Sequence, residues 1–386
     1  MRVLWHTNSP YCPTGYGGQV RQLLPRMQAL GHEVAVVANF GLSGATLNWN
    51  GVTIYPLREM QQNADVIGAY VADFHADVVI SLYDVWALPP DYRQRIGVPW
   101  IAMCPVDGAP VNKATIERLR QAEYVVSYSQ FGDAELRKVG FEPTYCPHGI
   151  DVDTFKPGDK DTARQVLGFP PDRWIISTVA ANKGFPARKG WPEMAMAYSR
   201  FHARHPESLW YCHTTKRPYG SGGEGIFFDD LIEACGIPPG AMAFPDQGHL
   251  GLGVPDAEIA RIYQASDVML LASLGEGFGL PVLEAQLCGC PVIVQDASST
   301  GELCRYGEAI EPLQPMWLPQ LGYWWQVPSV DRIEAAMERA YICTNGTGDV
   351  SGGLQLAESL ATEYGYDAVF ERYWVPFLAE VEATLW

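Results

Sequence analysis

The chain has 386 residues, 47% hydrophobic and 18% charged, and its 27 Lys and Arg against 44 Asp and Glu give a formal net charge of -17. That length exceeds one ordinary core, so two domains are expected, and the apolar content excludes a disordered chain. The acidic balance disfavours a broad nucleic-acid or anionic-membrane footprint, while leaving room for a local basic pocket.

Nine cysteines, odd in number and set in apolar contexts, suit a reducing cytoplasm better than a disulfide framework. No apolar run is long enough to span a bilayer, and the N-terminus enters a strand without a signal-peptide pattern, so a cytoplasmic location is expected. Cys288-Gly-Cys290 is too closely spaced for a usual zinc pair and reads as core. No metal site is expected.

In chain order, short apolar runs predict strands at Arg2–Trp5, Val34–Ala38, Val78–Ser81, Trp100–Met103 and Tyr124–Ser127. A second series follows at Trp174–Val179, Ser208–Cys212, Met242–Phe244, Val268–Leu271 and Val292–Val294. Continuous Val/Ile runs alternating with helical stretches predict parallel sheets covered on both faces, in two doubly wound, Rossmann-like domains. The Pro, Gly and charge of Asp151–Asp161 mark the boundary, and Tyr219–Gly225 reads as the most flexible interior loop.

The first strand runs into Thr14-Gly15-Tyr16-Gly17-Gly18, a glycine loop placed ahead of a helix from Gln19 to Leu30 that Pro25 weakens. Glycines there permit close backbone approach to a ligand; an ordinary surface loop fits as well. In the second series, Asn182-Lys183 and Arg188-Lys189-Gly190 lie between a strand and a helix that begins near Trp191. Three cations at a sheet's carboxyl edge suit a diphosphate. Further on, Gly275-Glu276-Gly277-Phe278-Gly279-Leu280 joins a strand to the helix carrying Glu284. Strand, glycine turn and helix N-terminus favour an anion through free N–H groups and the helix dipole. The two glutamates do not read as a glycosidase pair, because Glu284 sits a turn into its helix.

Glu276-Gly-Phe-Gly-Leu-Pro-Val-Leu-Glu284 resembles the E-x7-E signature of retaining GT-B glycosyltransferases, especially glycosyltransferase family 4. Pro147-His148-Gly149-Ile150-Asp151, Phe155-Lys156-Pro157, the Lys183–Gly190 loop and Gly15–Gly18 extend the resemblance over most of the chain. It implies a GT-B fold of two Rossmann-like domains facing across a cleft. Residues 1–155 would be the acceptor side, with a C-terminal helix at about 367–386 packing back on it, and 156–366 the donor side. The implied reaction moves a sugar from a nucleoside diphosphate sugar, UDP-sugar or GDP-sugar, to an acceptor hydroxyl with retention and without a required cofactor.

The resemblance also implies roles for individual residues. Glu284 would hold the ribose hydroxyls; Glu276 and the Phe278–Leu280 backbone, with Gly277 and Gly279, would face the sugar. Lys183 and Lys189, helped by Arg188, would stabilise the diphosphate, and Gly17 and Gly18 would approach it on domain closure. Two departures stand out: Lys183 occupies a position where relatives often carry Arg, and Asp107 lies where many carry a functional His. Asp107 is placed near the acceptor or sugar, or is simply a turn-forming Asp before Gly. Glycan, small-molecule and modified nucleic-acid acceptors all fit. A nucleotide-sugar epimerase or hydrolase, or a non-catalytic nucleotide-sugar binder, would share the same donor features.

Overall fold

The computed structural model describes residues 1–58, 65–184, 186–218, 224–346 and 351–385. The chain divides into two compact units. One comprises Met1–Gly149, Pro319–Tyr323 and Tyr366–Trp386; the other comprises Ile150–Leu318 and Trp324–Gly365.

The first unit is built on β1 (Arg2–Thr7), β2 (Glu33–Ala38), β3 (Leu47–Trp49), β4 (Val52–Tyr55), β5 (Val78–Leu82), β6 (Trp100–Met103), β7 (Tyr124–Ser127) and β8 (Thr144–Tyr145). They form one sheet in the order β3-β4-β2-β1-β5-β6-β7-β8. All neighbours are parallel except the β3–β4 hairpin, whose Asn50-Gly51 turn has positive φ at both residues (50° and 84°), as a primed turn requires. The central strands are buried along nearly their whole length because helices cover both faces, which is why they read as unbroken apolar runs. Trp100 is wholly buried at the sheet centre and donates its indole N–H to the Ser81 hydroxyl at 2.8 Å.

The glycine segment after β1 is not a loop. A helix starts at Gly15 and runs to Ala29, passing through Pro25, so Gly15, Gly17 and Gly18 form its first turn. The Thr14 hydroxyl caps it, accepting from Gly17 N–H at 3.1 Å. That capping oxygen overrides the poor helix propensity of three glycines. The final segment, an α-helix over Tyr366–Val369, a π-helical turn over Phe370–Trp374 and an α-helix over Val375–Leu385, also belongs to this unit. Its Trp374 ring lies 5.8 Å from Trp5, and Phe377 meets Tyr124 edge-on at 5.6 Å.

The second unit holds β9 (Trp174–Val179), β10 (Ser208–His213), β11 (Met242–Ala243), β12 (Val268–Leu271), β13 (Val292–Gln295) and β14 (Gly307–Ile310). This sheet is all parallel, in the order β11-β10-β9-β12-β13-β14. The order reverses beside β9, the place where such sheets take ligands at their carboxyl ends. At the amino end of β12, the Asp267 carboxylate gathers Arg164 at 2.7 Å, Lys160 at 2.6 Å and Ile175 N–H at 2.6 Å. This knot ties the helix Lys160–Leu167 and β9 to β12. A hairpin that the apolar runs do not announce, β15 (Gln314–Leu318) and β16 (Tyr323–Val327), follows β14. Of the loop expected to be most flexible, Tyr219–Gly223 lies outside the described residues. Among the described residues no helix is long and apolar enough to cross a membrane.

Candidate functional site

Beyond the carboxyl ends of β9 and β12, two loops fold into one another. The first runs from Val179 to the helix Trp191–Arg204, and it is pinned at both ends. At its start Asn182, nearly wholly buried, donates to the Thr215 and Ile226 carbonyls at 3.0 and 2.7 Å and accepts from Ile226 N–H at 2.7 Å. At its end Gly190 adopts φ 67°, and a Cβ there would stand 2.1 Å from the Ala272 carbonyl oxygen. Only glycine allows this loop to lie against the end of β12. Leu274 N–H donates to the Arg188 carbonyl at 2.8 Å, closing the junction.

These contacts bring together three charges that lie 87 and 88 residues apart in sequence. The buried Glu276 carboxylate receives Arg188 Nη1 at 2.8 Å through one oxygen and Lys189 Nζ through the other. Arg188 Nη1 also donates to the Gly275 carbonyl at 2.5 Å. Burial alone would raise the Glu276 pKa, but Arg188 and Lys189 outweigh it and hold the group at about 2. Burial pushes the Lys189 ammonium down to about 8, with Arg188 and Lys183 adding to the effect and Glu276 opposing it. One carboxylate thus balances two cations, and Lys183 stands exposed nearby. Three cations, Lys183, Arg188 and Lys189, therefore stand around one buried carboxylate. Such a site gains from an added anion.

The glycine turn completes the site. Gly279, at φ 105°, caps the helix Leu280–Leu287, and Pro281 sits in its first turn. Ser299 donates to the carbonyls of Glu276 and Phe278 at 2.8 and 2.6 Å, and the Ser298 hydroxyl accepts from Glu276 N–H at 2.8 Å. Ser298 holds φ 50°, ψ −133°, a strained backbone for a residue with a side chain. The Phe278 ring is buried, with Tyr364 6.4 Å away, so only its backbone is available to a ligand. Glu284 is partly covered and accepts from the Tyr263 hydroxyl at 3.0 Å; burial raises its pKa to about 8, against the opposing pull of that bond. Asn182, Tyr263, Ser298 and Ser299 were not singled out from sequence. The Ser-Ser pair after β13 was the only visible signal, and it needs the fold to acquire meaning.

In the first unit, Gly17 and Gly18 differ. A Cβ on Gly17 would meet the Cys12 and Ser9 carbonyls at 2.6 and 2.7 Å, whereas one on Gly18 would have Arg21 as its nearest neighbour, at 3.9 Å. Gly17 is therefore demanded by packing, and Gly18 is not. Tyr16, in the same helical turn, shares a hydrogen bond with Tyr128, and the Tyr128 ring stacks on buried His148 at 4.2 Å. Burial pushes the His148 pKa down to about 3, so the ring is neutral. Asp107, half-buried, lines a depression together with Asp84 and Trp86. Among the described residues no group of three or more His, Cys, Asp or Glu is placed to hold a metal ion.

Two units built on mainly parallel sheets, in a chain that superposes on solved glycosyltransferases, give a GT-B fold. Residues 243–344, which contain the Glu276–Glu284 segment, match the family model for glycosyl transferases group 1. Along its sequence the chain is 30% identical over 189 residues to the D-inositol 3-phosphate glycosyltransferase of Rhodococcus opacus, covering 48% of this chain and 40% of that protein. It is 34% identical over 159 residues to the enzyme of the same name from Stackebrandtia nassauensis, covering 39% and 32%. The chain thus spans about two fifths or less of these relatives' length. Among solved structures, sucrose-phosphate synthase from Thermosynechococcus elongatus superposes with a TM-score of 0.73 at 17% identity, over 99% of this chain and 100% of that one. Anabaena HepE, solved in complex with UDP and glucose, superposes with a TM-score of 0.70 at 15% identity over the whole of both chains.

Proposed function

We propose that the protein transfers a sugar from a nucleoside diphosphate sugar, a UDP-sugar or GDP-sugar, to an acceptor hydroxyl with retention at the anomeric carbon. The observation that carries this reading is the buried Glu276 carboxylate shared by Arg188 and Lys189, set beside the glycine turn and the helix N-terminus. The glycosyl transferases group 1 match over the same segment supports it.

In this reading the donor diphosphate takes the place beside Lys189, Arg188 and Lys183, and the start of the helix Leu280–Leu287 adds its dipole. Glu276 keeps the two nearer cations at fixed positions beside the sugar. Glu284 accepts hydrogen bonds from the ribose hydroxyls. The C1–O bond to the diphosphate breaks as the acceptor oxygen bonds to C1, and the acceptor proton passes to a diphosphate oxygen. The protein's contribution is charge stabilisation of the leaving group by preorganised cations, which need no reorganisation at the moment of reaction. Gly18 offers an open backbone face to an approaching ligand, and Asp107 lies on the acceptor side.

The test begins with a thermal-shift panel of UDP-, GDP- and ADP-sugars, because a ligand that binds only the folded state raises its apparent stability. One nucleotide series should stand out, and Lys189→Ala and Glu284→Ala should each lose that shift. Unchanged shifts in both variants would refute the site. NMR of the isolated product should show the donor's anomeric configuration; an inverted centre would refute retention. Isomerised or hydrolysed donor in the absence of any acceptor would identify an epimerase or hydrolase instead.

A further inference from the structure

Resting on that reading of the Glu276 loop as the donor site, we infer that Ser298 is a positioning residue. Its hydroxyl, presented from a glycine-type backbone, fixes the Glu276 main chain and through it the Arg188–Glu276–Lys189 group that a nucleoside diphosphate meets. Ser298 is not placed on the donor; it acts through Glu276.

Ser298 departs from ordinary serine behaviour twice. Its φ 50°, ψ −133° is the conformation of the first central residue of a type II′ turn, a place that glycine dominates. His75 also has positive φ, but its ψ of 48° puts it in the left-handed region that other residues visit at a helix end. Ser298 lies outside that region. It also occupies the N-cap of the helix Ser299–Leu303, where a serine hydroxyl ordinarily accepts from an N–H of the first turn, yet its side chain makes no capping hydrogen bond. The hydroxyl instead donates to the Ala297 carbonyl at 2.7 Å and accepts from Glu276 N–H at 2.8 Å, across 22 residues of sequence. A relaxed backbone and a helix cap are both given up, and the contact with Glu276 is what stands in their place.

The next residue completes the grip. Ser299 is wholly buried and donates to the Glu276 and Phe278 carbonyls. Two adjacent hydroxyls therefore hold Glu276 at its N–H and at its C=O, while Arg188 and Lys189 hold its carboxylate. The two cations repel one another, and only a carboxylate fixed in place keeps both at a set position. A ligand that meets charges already in place pays no ordering cost on arrival. Strained residues persist where the surrounding structure over-determines them, and they gather where a site is preorganised.

The experiment compares the full chain with its Ser298→Gly and Ser298→Ala variants. Both variants lose the hydroxyl, but only glycine relieves the strain. Hydrogen exchange read by mass spectrometry over residues 274–280 should quicken by about tenfold in both. Calorimetry with UDP and GDP should show the nucleotide that the wild type prefers bound about tenfold more weakly by both, and equally by the two within about twofold. Urea unfolding should nevertheless place Ser298→Gly at a clearly higher midpoint than Ser298→Ala. If Ser298 served its own turn alone, affinity would follow stability: the glycine variant would bind like the wild type and the alanine variant would not. That result, or unchanged exchange over 274–280 in both variants, would overturn the inference. A wild type that binds neither UDP nor GDP would instead refute the donor-site reading, and the exchange measurement would still decide whether Ser298 holds Glu276.

Discussion

Binding of a nucleoside diphosphate should take up a proton at alkaline pH, and Lys189 should be the group that takes it. In the free protein burial holds Lys189 at about 8, so at pH 9 only about a tenth of the molecules carry its charge. A diphosphate in contact returns the ammonium to its ordinary range near 10.5, where it is almost fully charged at pH 9. Lys189 alone should therefore take up about 0.9 proton per ligand at pH 9 and about 0.1 at pH 7, where the release at Glu284 set out below outweighs it. UDP or GDP affinity should weaken by about tenfold per pH unit above 8. Calorimetry in buffers of different ionisation enthalpy measures the proton count directly, with the parent nucleoside as a control that lacks the phosphates. Lys189→Met should abolish the uptake. A wild-type count near zero at pH 9, or an unchanged count in Lys189→Met, would refute the placement of Lys189 against the phosphates.

Three further outcomes follow from the geometry. Gly190→Ala places a Cβ 2.1 Å from the Ala272 oxygen in a left-handed backbone, so urea unfolding should show a loss of about 2–4 kcal/mol together with lost donor binding; a loss under about 0.5 kcal/mol would contradict it. Gly17→Ala should destabilise, whereas Gly18→Ala should hold or gain up to about 1 kcal/mol while weakening donor binding, and equal stability effects would remove the distinction. Glu284, whose folded pKa is raised to about 8, makes stability fall as pH rises from 4.5 toward 8, because the folded state holds the proton longer. Glu284→Gln should flatten that slope, and binding of the nucleoside alone at pH 7 should release a proton in the wild type and none in the variant.

The parallel sheets were legible in the sequence because strands buried on both faces leave continuous apolar runs; β6, β7, β9 and β12 coincide with those runs end to end. The edge elements were not. β3 is short and partly exposed, β4 is buried but only four residues long, and their one signal, Asn50-Gly51, is a turn signal and not a strand signal. The helix at Gly15 was misplaced because glycine argues for a loop until the Thr14 cap is seen. At the site, residue types could be read but not pairings. Nothing in the sequence couples Lys189 to Glu276, because that contact depends on β9 and β12 lying side by side and on Gly190 lying flat against Ala272. Tyr263 was equally hidden, since it comes from the helix that precedes β12.

The Asp267 knot sits at the opposite end of β12 from Glu276, and its ties to Lys160, Arg164 and Ile175 involve no residue of the candidate site. The strand is thus anchored at its base by one set of charges and leads at its tip into the other set, that of the candidate site. This separation makes the scaffold suited to redesign. A library confined to the loops around 180–190 and 272–279 can vary what is recognised, while the anchoring end keeps the strands in register.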